Sequence, residues 1–132
     1  GTPVEVLPQD SYRWLLRAAE ASSGAPPCRA LVFIDPPYDS NESYDAWNLY
    51  MLRHLRMHWP GQCVALWYPL MDAVESFHAR LADLPVGDVL VAEMTVERRR
   101  EEEPELLRGS GVAVLGAPEG LEEQLAEALP AL

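Results

Sequence analysis

Several things are missing from this 132-residue chain, and each absence narrows what it can be. No stretch is apolar for long enough to span a bilayer, and no secretory signal pattern opens the chain. The expected location is therefore the cytoplasm, without a membrane partner. Cysteine is scarce: Cys28 and Cys63 are the two present, and neither has metal-ligand spacing. Both fall just before or at the start of apolar runs, and two reduced thiols are expected. Positive charge is scarce too, with 10 Lys and Arg against 21 Asp and Glu, a formal net charge of −11. An acidic field opposes approach to a phosphate backbone. Either a basic surface lies in a segment outside these residues, or nucleic acid is not the partner of this piece. No Gly-x-Gly opens a helix, so the usual backbone cradle for a phosphate or carboxylate cannot be built here. What remains is a chain of 48% hydrophobic residues, long enough for one domain with a real core.

The most informative stretch is Ala30 to Tyr38. Five apolar residues, Ala30 to Ile34, run without alternation and stop at Asp35. Such a run, closed by a turn signal, reads as a strand buried on both faces of a parallel sheet. In open α/β sheets the ligand crevice lies beyond the carboxyl ends of the strands, where Asp35-Pro36-Pro37-Tyr38 would sit. Two prolines have fixed φ and no N–H, so the ladder cannot continue through them. The proline after Asp35 also holds Asp35 extended. A stiff turn results, carrying a carboxylate, outward carbonyls and an aromatic ring. It is suited to grip a flat base bearing an amino group.

The other elements follow in order. Val4 to Leu7 is a short apolar stretch, read as an early strand, and Asp10 caps a helix from Ser11 to about Ala21. Leu15, Ala18 and Ala19 share one face of that helix, and Gly24 with Pro26-Pro27 ends it. After a polar loop over Asp39 to Ser43, a helix from Tyr44 to about His58 places Tyr44, Trp47, Met51 and Leu55 at core spacing. His54 and His58 lie four apart on it, a spacing that a metal can use, but no third ligand is near in sequence and no metal is expected. Cys63 to Trp67 is a second buried strand, ending in Tyr68-Pro69. Asp72 and Glu75 form a capping-box pair for a helix that buries Val74, Phe77, His78 and Leu81. His78 reads as a structural residue. Asp88 to Glu97 alternates like a half-buried antiparallel strand, and Arg98-Arg99-Arg100 against Glu101-Glu102-Glu103 reads as a solvated loop. The alternative for the arginines is a phosphate contact. Gly111 to Leu115 makes the last strand, and Leu121, Leu125 and Leu129 mark a closing helix.

Asp35-Pro36-Pro37-Tyr38 after a hydrophobic strand resembles the motif of Rossmann-like, S-adenosylmethionine-dependent amino-methyltransferases acting on adenine or cytosine. Trp67-Tyr68-Pro69, Ser110-Gly111 and Leu129-Pro130-Ala131-Leu132, in that order and spacing, resemble the bacterial 23S rRNA adenine-N6 methyltransferase family of the RlmJ type. The resemblance covers nearly the whole chain but only the second half of such an enzyme. It implies an α/β fold: the C-terminal half of the class I methyltransferase architecture, with parallel strands and an antiparallel edge hairpin flanked by helices. It also implies one partial catalytic domain over 1–132. The strand carrying the glycine-rich loop and the one carrying the acidic ribose ligand are absent, so the Ala30–Ile34 strand is expected to keep an unpaired edge.

The same resemblance assigns roles. Asp35 and the Pro36 carbonyl would accept the two N6 protons of adenine, with Tyr38 stacked on the base. Asp10 would lie near the adenine of S-adenosylmethionine. Pro37, Trp67, Tyr68 and Pro69 would shape the base pocket, although aromatic packing beneath the loop is the alternative for the last three. The implied partner is 23S ribosomal RNA with an unpaired or flipped adenine, and the implied state of the full-length enzyme is a monomer. Where the family has Asn-Pro-Pro-Trp, this chain has Gly116-Ala117-Pro118-Glu119. Two other readings stand beside this one: a DNA adenine-N6 methyltransferase, and a non-catalytic remnant or interaction domain of the same fold.

Overall fold

The computed structural model describes residues 3–23, 30–38, 46–71, 74–96 and 108–129. Its elements follow the expected order: α1 (Ser11–Ala21), β1 (Leu31–Ile34), α2 (Asn48–His58), β2 (Cys63–Pro69), α3 (Val74–Ala82), β3 (Val89–Thr95), β4 (Gly109–Leu115) and α4 (Leu121–Ala128). The four strands form one sheet in the order β1-β2-β4-β3. β1 pairs with β2 in parallel, and β4 lies antiparallel to both β2 and β3. The parallel pair beside an antiparallel hairpin is the expected class I arrangement. As expected also, β1 stands at an edge, with β2 as its neighbour among the described strands.

The burial of β1 differs from expectation. Ile34 is buried, but Leu31 and Phe33 are 70% and 59% exposed. The registry explains why. Ile34 pairs with Leu66, which lies beside Ala113, and Val32 pairs with Val64, which lies beside Leu115. These residues share one sheet face, and they join the core formed with Ala19 of α1, Leu49, Met51, Leu52 and Leu55 of α2, and Phe77 and Leu81 of α3. With α1, α2 and α3 packed on that face, alternation turns Leu31 and Phe33 to the other, where the described residues leave them open. Nor is Val4–Leu7 a strand: Val4 and Val6 are more than four-fifths exposed and pair with no strand of the sheet.

In α2 the buried line runs through Asn48, Leu49, Met51, Leu52 and Leu55, whereas Trp47 is 59% exposed and faces outward. Tyr44, Cys28, Asp72, the 98–103 charge block and the Asp39–Ser43 loop lie outside the described residues. Cys63 is a free, half-buried thiol. Among the described residues no helix is long and apolar enough to cross a membrane, and no group of His, Cys, Asp and Glu could hold a metal.

Two polar contacts tie this framework together. The Tyr12 hydroxyl donates to Asn48 Oδ1 at 2.7 Å, linking the first turns of α1 and α2. Burial pushes the Tyr12 phenol up from its ordinary value, so it stays a neutral donor. On the other side of the sheet centre, the Tyr68 ring is fully buried against Phe77 and lies across Gly111 of β4. Its hydroxyl donates to Glu93 Oε1 at 2.8 Å, and His78 Nε2 is 2.8 Å from the same oxygen.

Gly111 leaves that ring its space: a Cβ there would sit 2.3 Å from Tyr68 Cζ and 2.5 Å from its oxygen. Gly111→Ala is expected to destabilise the fold by about 1–3 kcal/mol through overpacking, measured by urea unfolding, and to cost less in a Tyr68→Leu background. Tyr12→Phe is expected to lose about 1 kcal/mol at neutral pH. A phenol whose folded pKa is raised stabilises fully below the unfolded value of 10.0 and loses that contribution as pH rises through the folded one. The gap between wild type and Tyr12→Phe should therefore shrink in melts recorded above pH 10; a gap independent of pH would contradict this.

Candidate functional site

Ile34 is the last residue of β1, opposite Leu66, while β2 continues for three residues to Pro69. The chain leaves the sheet at Asp35 because Pro36 and Pro37 can donate no ladder hydrogen bond. Pro36 is buried and anchors the turn, while Asp35 and Pro37 are exposed. A cleft of about 300 Å³ opens there, lined by Phe33, Ile34, Asp35, Pro36 and Pro37 on one side and by Ser11, Tyr12 and Leu15 of α1 on the other. That volume is at the lower end for a small-molecule site. The cleft lies at the carboxyl end of a parallel strand, where ligands of open α/β sheets bind.

Asp10 stands at the head of α1, adjacent to the cleft-lining Ser11. Its carboxylate accepts from the Arg13 backbone N–H at 3.0 Å and lies 3.5 Å from the Arg13 side chain. It is thus an N-cap, next in sequence to a residue of the cleft wall. Ser11, Tyr12 and Leu15 were not singled out from the sequence as lining residues. The amphipathic pattern of α1 marks Leu15 as inward-facing, but nothing local says which strand end that helix faces.

Tyr38 is half-buried, and its hydroxyl donates to the backbone carbonyl of Trp67. The two rings lie 5.5 Å apart at 59°. Trp67 is just past the last β1–β2 pair, so the turn after β1 is pinned to the extension of β2. Asp35, Pro36 and Pro37 therefore share the cleft, Asp10 precedes its Ser11 wall residue in sequence, and Tyr38 and Trp67 form a contact beside the same strand ends.

Tyr68 and Pro69 are placed differently. Alternation along β2 sends Tyr68 to the face opposite Trp67, where it is engaged with Phe77, Glu93 and His78 rather than with the Asp35 turn. Pro69 is buried and paired in register with Ser110 of β4. For these two the structure favours packing beneath the rim over lining the cleft. Three consecutive residues of a strand cannot all face one pocket.

The fold has solved relatives. A crystal structure of protein LPL1258 from Legionella pneumophila str. Philadelphia 1, described by the family model DUF519, superposes with a TM-score of 0.69 at 21% identity. The match covers 86% of this chain and 42% of that one, so the chain spans about two-fifths of that protein's length. A search of curated proteins gives no match. The model of the family described as "Ribosomal RNA large subunit methyltransferase D, RlmJ" matches residues 4–132, and the chain belongs to that family.

Proposed function

We propose that this chain carries the base-gripping half of an S-adenosylmethionine-dependent methyltransferase that methylates adenine N6 in 23S ribosomal RNA. The observation that carries the reading is the Asp35-Pro36-Pro37-Tyr38 turn, which opens a cleft at the carboxyl end of β1 and is held to β2 through Tyr38 and Trp67. Family membership supports methyl transfer to large-subunit rRNA. The choice of adenine N6 rests on the resemblance to the RlmJ-type adenine-N6 enzymes, and the turn suits a flat base bearing an amino group.

The lone pair of adenine N6 is delocalised into the ring, which makes it a weak nucleophile. In this reading the Asp35 carboxylate and the Pro36 carbonyl accept one N6 proton each. Shortening those hydrogen bonds favours a pyramidal nitrogen with its lone pair aimed at the incoming methyl group, an orientation effect more than strong base catalysis. When bound, S-adenosylmethionine supplies an electrophilic methyl on a sulfonium sulfur. Its methyl would pass in line to N6, leaving the donor as a neutral thioether, and the proton lost from N6 would go to solvent. The Tyr38 ring offers a stacking face, and the base has to be unpaired or flipped to reach it.

The residues present fit one end of the donor. Asp10 and the first turn of α1 would flank its adenine across the cleft from Asp35. The methionine carboxylate has no glycine-rich cradle in this sequence, and would be held by residues outside this chain.

Methyl transfer to 23S rRNA fragments, read as N6-methyladenosine by mass spectrometry, tests the proposal. Asp35→Asn is expected to lower the rate by about 100-fold or more while leaving the melting temperature nearly unchanged. An active protein whose rate is indifferent to Asp35→Asn, or whose product is methylated elsewhere on the base, would sink it.

A further inference from the structure

Outside the cleft, the most unusual feature is a run of rings along α2. Trp47 and Tyr50 lie 6.1 Å apart edge to face, Tyr50 and His54 5.8 Å apart, and His54 and His58 4.3 Å apart. Their spacing of three, four and four residues keeps them on one side of the helix. The run extends about 16 Å at 1.5 Å per residue. Trp47 and Tyr50 are 59% and 49% exposed, whereas His54 is buried and His58 half-buried, so the first two offer the open ring faces. Exposed aromatics are not what α2 needs to pack, because Leu49, Met51, Leu52 and Leu55 already supply its buried face.

Charge is distributed to match. In a chain of net charge −11, α2 contains no acidic residue from Asn48 to His58, and it holds Arg53, Arg56 and two histidines. Arg53 is exposed three residues after Tyr50, on the outward line beside the rings. On α1, Arg13 and Arg17 are exposed at the spacing that leads to Glu20, whose carboxylate is 3.6 Å from His54 Nε2. Arg13 is taken up by Asp10, and Glu20 is the acidic group of α1 that faces the rings.

The first turn of α2 is tied to the cleft wall. Asn48, next to Trp47, accepts the hydrogen bond of Tyr12, and Tyr12 lines the cleft with Asp35 and Pro36. From the two exposed rings, Arg53 and this tie to the cleft wall, we infer that α2 is a stacking platform for single-stranded RNA, which leads the nucleotides flanking the target base away from the Asp35 turn. This rests on the RNA-modifying reading above and adds the surface that would hold the substrate. Bases stack on Trp47 and Tyr50, and Arg53 meets the phosphates, a combination typical of single-strand tracks.

The test is binding of a labelled single strand of about twelve nucleotides, within the usual range for such tracks, compared with a duplex of the same sequence. Trp47→Ala and Tyr50→Ala are each expected to weaken binding by roughly 5- to 100-fold. Arg53→Ala is expected to lower the salt slope by about one. All three side chains are exposed, so melting temperatures should stay near wild type. In parallel, strands carrying 4-thiouridine should photo-crosslink to the Trp47–Met57 segment of the wild-type protein, which needs no variant to fold.

Equal binding by the variants, or crosslinks confined elsewhere, overturns the platform. So does wild-type protein that binds no single strand. A wild-type dimer that Trp47→Ala converts to monomer overturns it in favour of a second copy on this face. Asp35→Asn separates the two ideas: loss of methylation with RNA binding and α2 crosslinks intact supports both, whereas intact crosslinks with a product methylated elsewhere on the base leave only the platform standing.

Discussion

The geometry near the cleft depends on two neighbouring strands ending at different heights. β1 stops at Ile34 because the next residues cannot hydrogen-bond as a strand, while β2 runs on to Pro69 by pairing with β4. That offset leaves Trp67 beyond its last β1 partner, where its carbonyl accepts the Tyr38 hydroxyl. A turn that would otherwise hang from one strand is anchored at both ends. The cleft beside it then has one wall of proline and aspartate and one wall of α1.

A second constraint holds the far side of the sheet. Tyr68 needs the empty side of Gly111 to reach Glu93, and Glu93 in turn engages His78 of α3. One side chain therefore joins β2, β4, β3 and α3. Its neighbour Trp67 belongs to the Asp35 side. The two aromatics are adjacent in sequence but serve opposite faces, one the core and one the neighbourhood of the cleft.

The face turned away from α1, α2 and α3 exposes Leu31 and Phe33 on an edge strand, a surface that isolated domains rarely leave uncovered. The similar solved protein is more than twice as long as the part matched here. The outward face of α2 is a separate matter: it pairs exposed aromatic rings with arginine rather than with aliphatic residues alone. That chemistry suits a flat, anionic partner more than a packed helix or strand.

Element order, strand directions and the edge position of β1 were legible in the sequence, because apolar runs, prolines and alternation act locally along the chain. The Asp35 turn was legible for the same reason. Other features were decided only by the tertiary structure. Leu31 and Phe33 look like core residues in an unbroken apolar run, but burial depends on whether helices cover both faces. Trp47 fits a core stripe by period, yet the helix is rotated so that Asn48, Leu49 and Leu52 point inward instead. Trp67, Tyr68 and Pro69 read as one rim motif, and only pairing with β4 separated them. Local chemistry determined where strands and turns occur; the partners across the sheet and between helices determined which side of each residue meets solvent, core or cleft.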